Sequence, residues 1–173
     1  MSPQPPSPSI QPRPASLLPP LASPRAIILA GLGGAVATLA LFALAQWSGL
    51  AFVMAPFGAT CVLAFALPDS PLSQPRSIVG GHLIATTVGL AVSTLLGVSP
   101  WTIALAVGLA TALMLATRTT HAPAGADPLL VMLAMPDWSF LLTPVLTGTL
   151  ALVAVAFAYH RVTGRRDYPR YWF

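Results

Sequence analysis

Apolar residues in this chain fall into long runs, separated by short clusters rich in proline, glycine, serine and arginine. From Arg25 to Gln46 only Thr38 interrupts the apolar run, which has the ~20 residues a helix needs to cross a bilayer. Trp47 closes it where an interfacial aromatic belongs. Residues 77–97 and 101–117 repeat the pattern around a tight turn at Val98-Ser99-Pro100, and residues 139–160 supply a fourth run. These stretches predict four continuous transmembrane helices.

Two further apolar runs are broken. Pro56 and Gly58 interrupt residues 48–67, and Pro123 and Gly125 interrupt residues 118–137. Proline lacks the backbone donor and disfavours helix in the residue before it. Each run therefore predicts an extended approach and then a half-helix, at about Phe57–Leu67 and Gly125–Met135. Ala55, Pro56, Gly58 and Ala59 match Ala122, Pro123, Gly125 and Ala126, and Pro68-Asp69 matches Pro136-Asp137. Each half thus reads helix, broken segment, helix. The expected fold is an all-α polytopic membrane domain over 25–160, built from two pseudo-symmetric repeats (25–97 and 101–160).

If both broken segments cross, there are six crossings, the repeats are inverted, and every arginine falls on one side. If both are re-entrant, there are four crossings, and Arg76 and Arg118 lie opposite the rest. The positive-inside rule favours six, with both termini cytoplasmic. The expected location is a bacterial inner membrane.

Composition agrees with a membrane protein. Only 7% of the 173 residues are charged, against about a quarter in soluble domains. The net charge of +4 is carried by arginine alone. Because the arginines sit at the ends of apolar runs, they read as orientation signals, with the lipid bilayer as partner, and nucleic acid is not expected. Residues 1–24, rich in proline and serine, predict a disordered tail. Residues 161–173 form a basic aromatic tail, with Arg161, Arg165, Arg166, Arg170, Tyr168, Tyr171 and Trp172 suited to lipid headgroups. Gly31, Gly33, Gly34, Ala35 and Ala37 allow close approach of a neighbouring helix or of a second copy in a homo-oligomer.

The chemistry should sit at the two breaks. Irregular backbone at membrane depth is tolerated where protein buries it or where it lines a cavity, and paired broken segments mark transporter binding sites. The first amides of each half-helix lack acceptors and carry the positive end of the dipole, which suits a small anion. The expected binding surface is Gly58, Ala59, Thr60 and Cys61 with Gly125, Ala126 and Asp127. Asp127 could instead stabilise the helix dipole, bind a cation, or titrate and couple proton entry to anion movement. His82 and His121 are further candidates, since ionisable groups inside a membrane are costly. Arg76 and Arg118 at the mouth either anchor topology or attract anions. Asp69 and Asp137 read as turn-formers, and His160 as interfacial. Glutamate is absent, as are a phosphate-binding glycine loop, HExxH and any Cys/His metal spacing. No enzymatic activity, metal or cofactor is expected.

The segment His121-Ala-Pro-Ala-Gly-Ala-Asp-Pro-Leu resembles the HPP family of integral membrane proteins, named for a His-Pro-Pro motif followed by Ala-Gly-Ala. Pro56-Phe-Gly-Ala, Ser70-Pro-Leu-x-Gln-Pro-Arg76 and Gly80-Gly-His82 are similar to the same family's pattern, over about Arg25 to His160. Ala122 stands where the name motif has its first proline, which should loosen the approach segment while leaving His121, Pro123 and Gly125 in place. The resemblance implies a small bundle usually described with four transmembrane helices. It also implies nitrite transport, as in plastid and cyanobacterial members.

Overall fold

The computed structural model describes residues 20–172, so the expectation of a disordered tail lies outside the described residues over 1–19. The described chain is all helical, without strands. Its six helices are α1 (Pro24–Ser48), α2 (Pro56–Ala66), α3 (Pro75–Leu96), α4 (Pro100–Ala116), α5 (Asp127–Ala134) and α6 (Thr147–Val162). Each of the first five has proline in its first turn, where the missing N–H leaves no bond unmade. Ser23 caps α1 through the Ala26 amide at 3.3 Å. Ser99 and Thr102 form a reciprocal capping box on α4.

The expectation of four continuous spans needs correction, because three helical stretches are long and apolar enough to cross a membrane: α1, α3 and Trp138–Val162. Helix α4, with 17 residues, reaches about 25 Å, at the short limit for a span. It stops because Arg118 turns left-handed at φ 57°. The last span is also not the smooth helix expected from Ser139. Thr143 is extended (φ −141°, ψ 121°) immediately before Pro144, a residue with no N–H to continue a helix. A regular helix resumes only at Thr147.

Helix α3 is the spine, packed by α4, α5, α6 and four short turns. Glycines along it admit their neighbours. A methyl group on Gly80 would sit 2.7 Å from Thr119 Cγ2, and one on Gly81 would sit 2.7 Å from His121 Cβ and 2.9 Å from the Thr119 carbonyl oxygen. One on Gly89 would meet Val131 Cγ2 at 2.4 Å and Pro128 Cα at 2.9 Å. Gly80 and Gly81 thus form a notch for the extended segment before α5, and Gly89 a notch for α5 itself. Leucines such as Leu39, Leu95, Leu115 and Leu133 point outward with no protein cover, as on a lipid-facing surface. The chain is an integral membrane protein by its apolar helices.

All arginines from Arg25 onward gather at one end. Arg76 donates to the Thr117 carbonyl (2.9 Å), joining the start of α3 to the end of α4. Arg25, Arg165 and Arg166 line one cavity with Phe65 and Ala66 at the end of α2. At the opposite end Phe140 and Leu141 pack with Leu90, Val92 and Ala106. Both proline-broken segments therefore run from one end of the bundle to the other.

The C-terminal tail is docked against protein through Tyr168, which corrects the reading of that residue as headgroup-facing, while Arg161, Arg166, Tyr171 and Trp172 stay exposed. Tyr168 is 1% exposed and donates to the Ser73 carbonyl at 3.1 Å. The Arg170 amide donates to Gln74 Oε1 (2.8 Å), while Gln74 Nε2 donates to Pro68 and Ser70. Asp69 receives both Arg165 and Arg170. His160 is likewise buried and bonds the Ala64 carbonyl at 2.9 Å. Hydrogen bonds from Arg165 and then Arg170 hold the Asp69 carboxyl below its usual range. A depressed acid contributes its stabilisation above the ordinary carboxylate range and loses it as pH falls through the folded value. Acidification below about pH 4 should therefore loosen the tail, read as a change in Trp172 fluorescence. Asp69→Asn should already be loosened at neutral pH, with faster trypsin cleavage after Arg165 and Arg166.

Candidate functional site

The two breaks meet. Residues Ala122–Ala126 form a tight 3-10 turn, with His121 extended before it and the eight-residue α5 after it. The expected half-helix from Gly125 thus begins two residues later, because the turn consumes Gly125 and Ala126. A groove of about 660 Å³ separates this turn from α2. Its walls are matched pairs at one constant offset: Ala55 with Ala122, Pro56 with Pro123, Ala59 with Ala126, and Leu63 with Leu130. The sequence repeat therefore lies face to face in space.

Behind the groove sits a buried polar chain. His121 Nδ1 lies 2.6 Å from the Leu72 carbonyl, and His121 Nε2 lies 2.9 Å from Thr60 Oγ1. Thr60 Oγ1 also lies 2.9 Å from His82 Nε2. His82 Nδ1 then lies 2.7 Å from Asp127 Oδ2, which receives the Thr86 hydroxyl at 3.3 Å. Thr60, His82, Thr86, His121 and Asp127 are all 0% exposed. The His82 ring packs edge-on to Phe57, with 5.2 Å between centroids. Because a carbonyl only accepts, His121 carries its proton on Nδ1. Asp127 Oδ1 is buried with no partner.

Local sequence explains the convergence. His82 and Thr86 are four residues apart on α3, so they share a face. Thr86 lies about 16 Å along a helix of about 33 Å, at the middle of α3. The notch at Gly80-Gly81 lets the extended 119–121 segment press His121 against α3. The Pro71–Ser73 turn presents the Leu72 carbonyl.

The candidate residues fall into three groups. Thr60, His82, His121 and Asp127 come together. Ala59 and Ala126 line the groove, while Gly58 is exposed and Gly125 is half-buried, with open space around both glycines. Cys61 packs into the core with Ala37, Ala64 and Phe65. The amides do not stand open as an isolated half-helix would leave them. Gly58 donates to the Ala55 carbonyl (3.1 Å), Ala124 to His121 (3.1 Å), and Asp127 to Ala124. Arg76 caps the end of α4, and Arg118 is exposed beside it. Thr86, Phe57 and the Leu72 carbonyl were not among the candidates. The spacing of Thr86 from His82 is a signal that would have found it; the carbonyl left none.

The comparisons agree with a membrane protein. Two transmembrane proteins of Dictyostelium discoideum are similar to the chain. One is 35% identical over 130 residues, covering 70% of this chain and 42% of the relative. The other is 33% identical over 125 residues, covering 68% and 44%. The chain therefore spans less than half the length of these curated relatives. No solved structure matches it. The family described as "HPP, transmembrane region" matches residues 19–169, across both breaks and the buried chain of His82, Thr60, His121 and Asp127, and the chain belongs to that family.

Proposed function

We propose that this protein transports a small anion across a membrane, with nitrite the first substrate to test. The observation that carries this reading is the polar chain buried at mid-bundle, joining the two broken segments inside an otherwise apolar fold. Ionisable groups at membrane depth mark substrate and ion pathways, and transporters place them where paired broken segments meet. The matched groove walls support a pseudo-twofold relation between the halves, and six crossings would give it as an inverted repeat. The single arginine-bearing end supports cytoplasmic termini in a bacterial inner membrane.

In this reading the anion enters between the facing Ala-Pro turns and approaches the imidazoles of His82 and His121 from the Gly58 and Gly125 side. Small residues there keep the path open. Gly125→Leu tests the path, because a Cβ at Gly125 meets nothing within 4 Å and the substitution should leave the fold intact. Nitrite uptake by this variant should fall to the level of protein-free liposomes. Normal uptake by correctly inserted Gly125→Leu would contradict the site.

A further inference from the structure

We propose that Thr60, His82, His121 and Asp127 form a loading site for one proton, taken up with one transported monoanion so that the two cross as an electroneutral pair. This deepens the transport reading and rests on it. The argument begins with the protons the bonds require. Four contacts link Leu72 to His121, His121 to Thr60, Thr60 to His82, and His82 to Asp127. Each needs a single proton. Neutral His121, neutral His82, the Thr60 hydroxyl and a protonated Asp127 supply one apiece. Moving the last proton from Asp127 to His82 leaves every bond filled, so the carboxyl and the imidazole share it. The network is complete at net charge zero.

A second complete state exists at the same heavy-atom positions. Thr60 Oγ1 also lies 3.3 Å from the Pro56 carbonyl. If the hydroxyl turns its proton there, Thr60 accepts from both imidazoles and His121 becomes doubly protonated. All five contacts are then filled and the cluster carries +1. The two states differ by one proton and by the rotation of one hydroxyl.

The positive state would be costly in a buried site without a counter-charge. The groups facing the cluster supply none. Helix α3 adds Thr86 and, six residues before His82, Arg76, whose guanidinium is bound to the Thr117 and Arg118 carbonyls. Helix α2 adds Cys61, turned into the apolar core. Helix α4 faces Gly81 and the His121 side with Met114, and His160 on α6 is engaged by Ala64. A monoanion in the groove would provide the missing charge. Reciprocally, the proton would stabilise the anion, because coupling between two ligands acts equally on both.

The two ends of the wire differ. At Leu72 it stops on a carbonyl, which cannot pass a proton on. At the other end Asp127 Oδ1 is buried and unpartnered, so it can take a proton without giving up a bond.

The test uses the purified full chain in liposomes holding a pH-sensitive dye. Protein-free liposomes give the baseline, because undissociated nitrous acid crosses lipid unaided. Wild type should carry one proton inward with each nitrite, at a rate unchanged by a potassium–valinomycin potential. Thr60→Val keeps the shape but removes the hydroxyl, and should lose proton entry by at least tenfold. Thr60→Ser, which retains both hydroxyl positions, should restore it. Nitrite entry that builds a membrane potential without proton entry would overturn the loading site while leaving anion transport standing. Proton entry retained in Thr60→Val would overturn the role of Thr60. Proton entry driven by a membrane potential, with no nitrite uptake, would overturn the paired crossing and the anion reading together. Neither flux above baseline would do the same.

Discussion

Asp127→Asn is expected to fold normally and to transport nothing. The amide mimics the protonated acid: its NH2 donates to His82 Nδ1, and every later bond to Leu72 can still be made. Thr86 keeps an acceptor only if the amide oxygen reaches it, a small loss beside the retained packing of a fully buried side chain. Thermal unfolding in detergent should therefore stay close to wild type. The amide cannot release a proton, however, and a positioned proton transfer contributes about 10²–10⁴-fold in rate. Uptake should drop by at least about a hundredfold. Asp127→Leu makes the contrast, since it strands the His82 nitrogen in a buried site and should lower stability as well.

Gly81→Ala is expected to be the most damaging single methyl group beside the polar chain. The added carbon would lie 2.9 Å from the Thr119 backbone oxygen and 2.7 Å from His121 Cβ. A backbone carbonyl cannot rotate away as the end of a side chain can. The cost should reach the upper part of the ~1–3 kcal/mol typical of overpacking. It should also push His121 off Thr60, so activity should fall even in the fraction that remains folded. Gly125→Ala and Gly108→Ala provide the reference, because a methyl group at either position meets nothing within 4 Å. Equal melting temperatures for Gly81→Ala and these two variants would rule out the notch.

Much of this arrangement was legible in the sequence, for identifiable reasons. Proline and glycine act on the backbone locally, so the breaks at Pro56 and Pro123 and the start of every early helix could be read without knowing the fold. The cost of placing His82, His121 and Asp127 among apolar residues singled them out. The expected anion surface came from treating each half-helix as isolated. In the fold, the carbonyls of Ala55 and Ala124 take amides that such a helix would leave free. The kink at Thr143 was visible in its proline and was passed over because the surrounding run is strongly apolar. The docking of the tail had no local signal. It depends on Gln74 and Asp69 meeting Arg165 and Arg170 across most of the chain, a match only tertiary structure creates.

The notch and the wire also explain the family pattern in physical terms. Gly80-Gly81-His82 is a gap beside a hydrogen-bonding group: the glycines admit the extended segment that carries His121, and His82 meets it through Thr60. Ser70-Pro-Leu-x-Gln-Pro-Arg76 shapes the turn that offers the Leu72 carbonyl, holds the tail through Gln74, and caps α4 through Arg76.

The most direct measurement is uptake by purified wild type and Asp127→Asn in matched proteoliposomes, with nitrite, nitrate, formate and chloride offered in turn under set pH gradients. The account predicts saturable nitrite uptake by wild type, enhanced by an inward proton gradient and absent in Asp127→Asn. Uptake by wild type no faster than by protein-free liposomes for all four anions, or equal uptake by the two proteins, would contradict it.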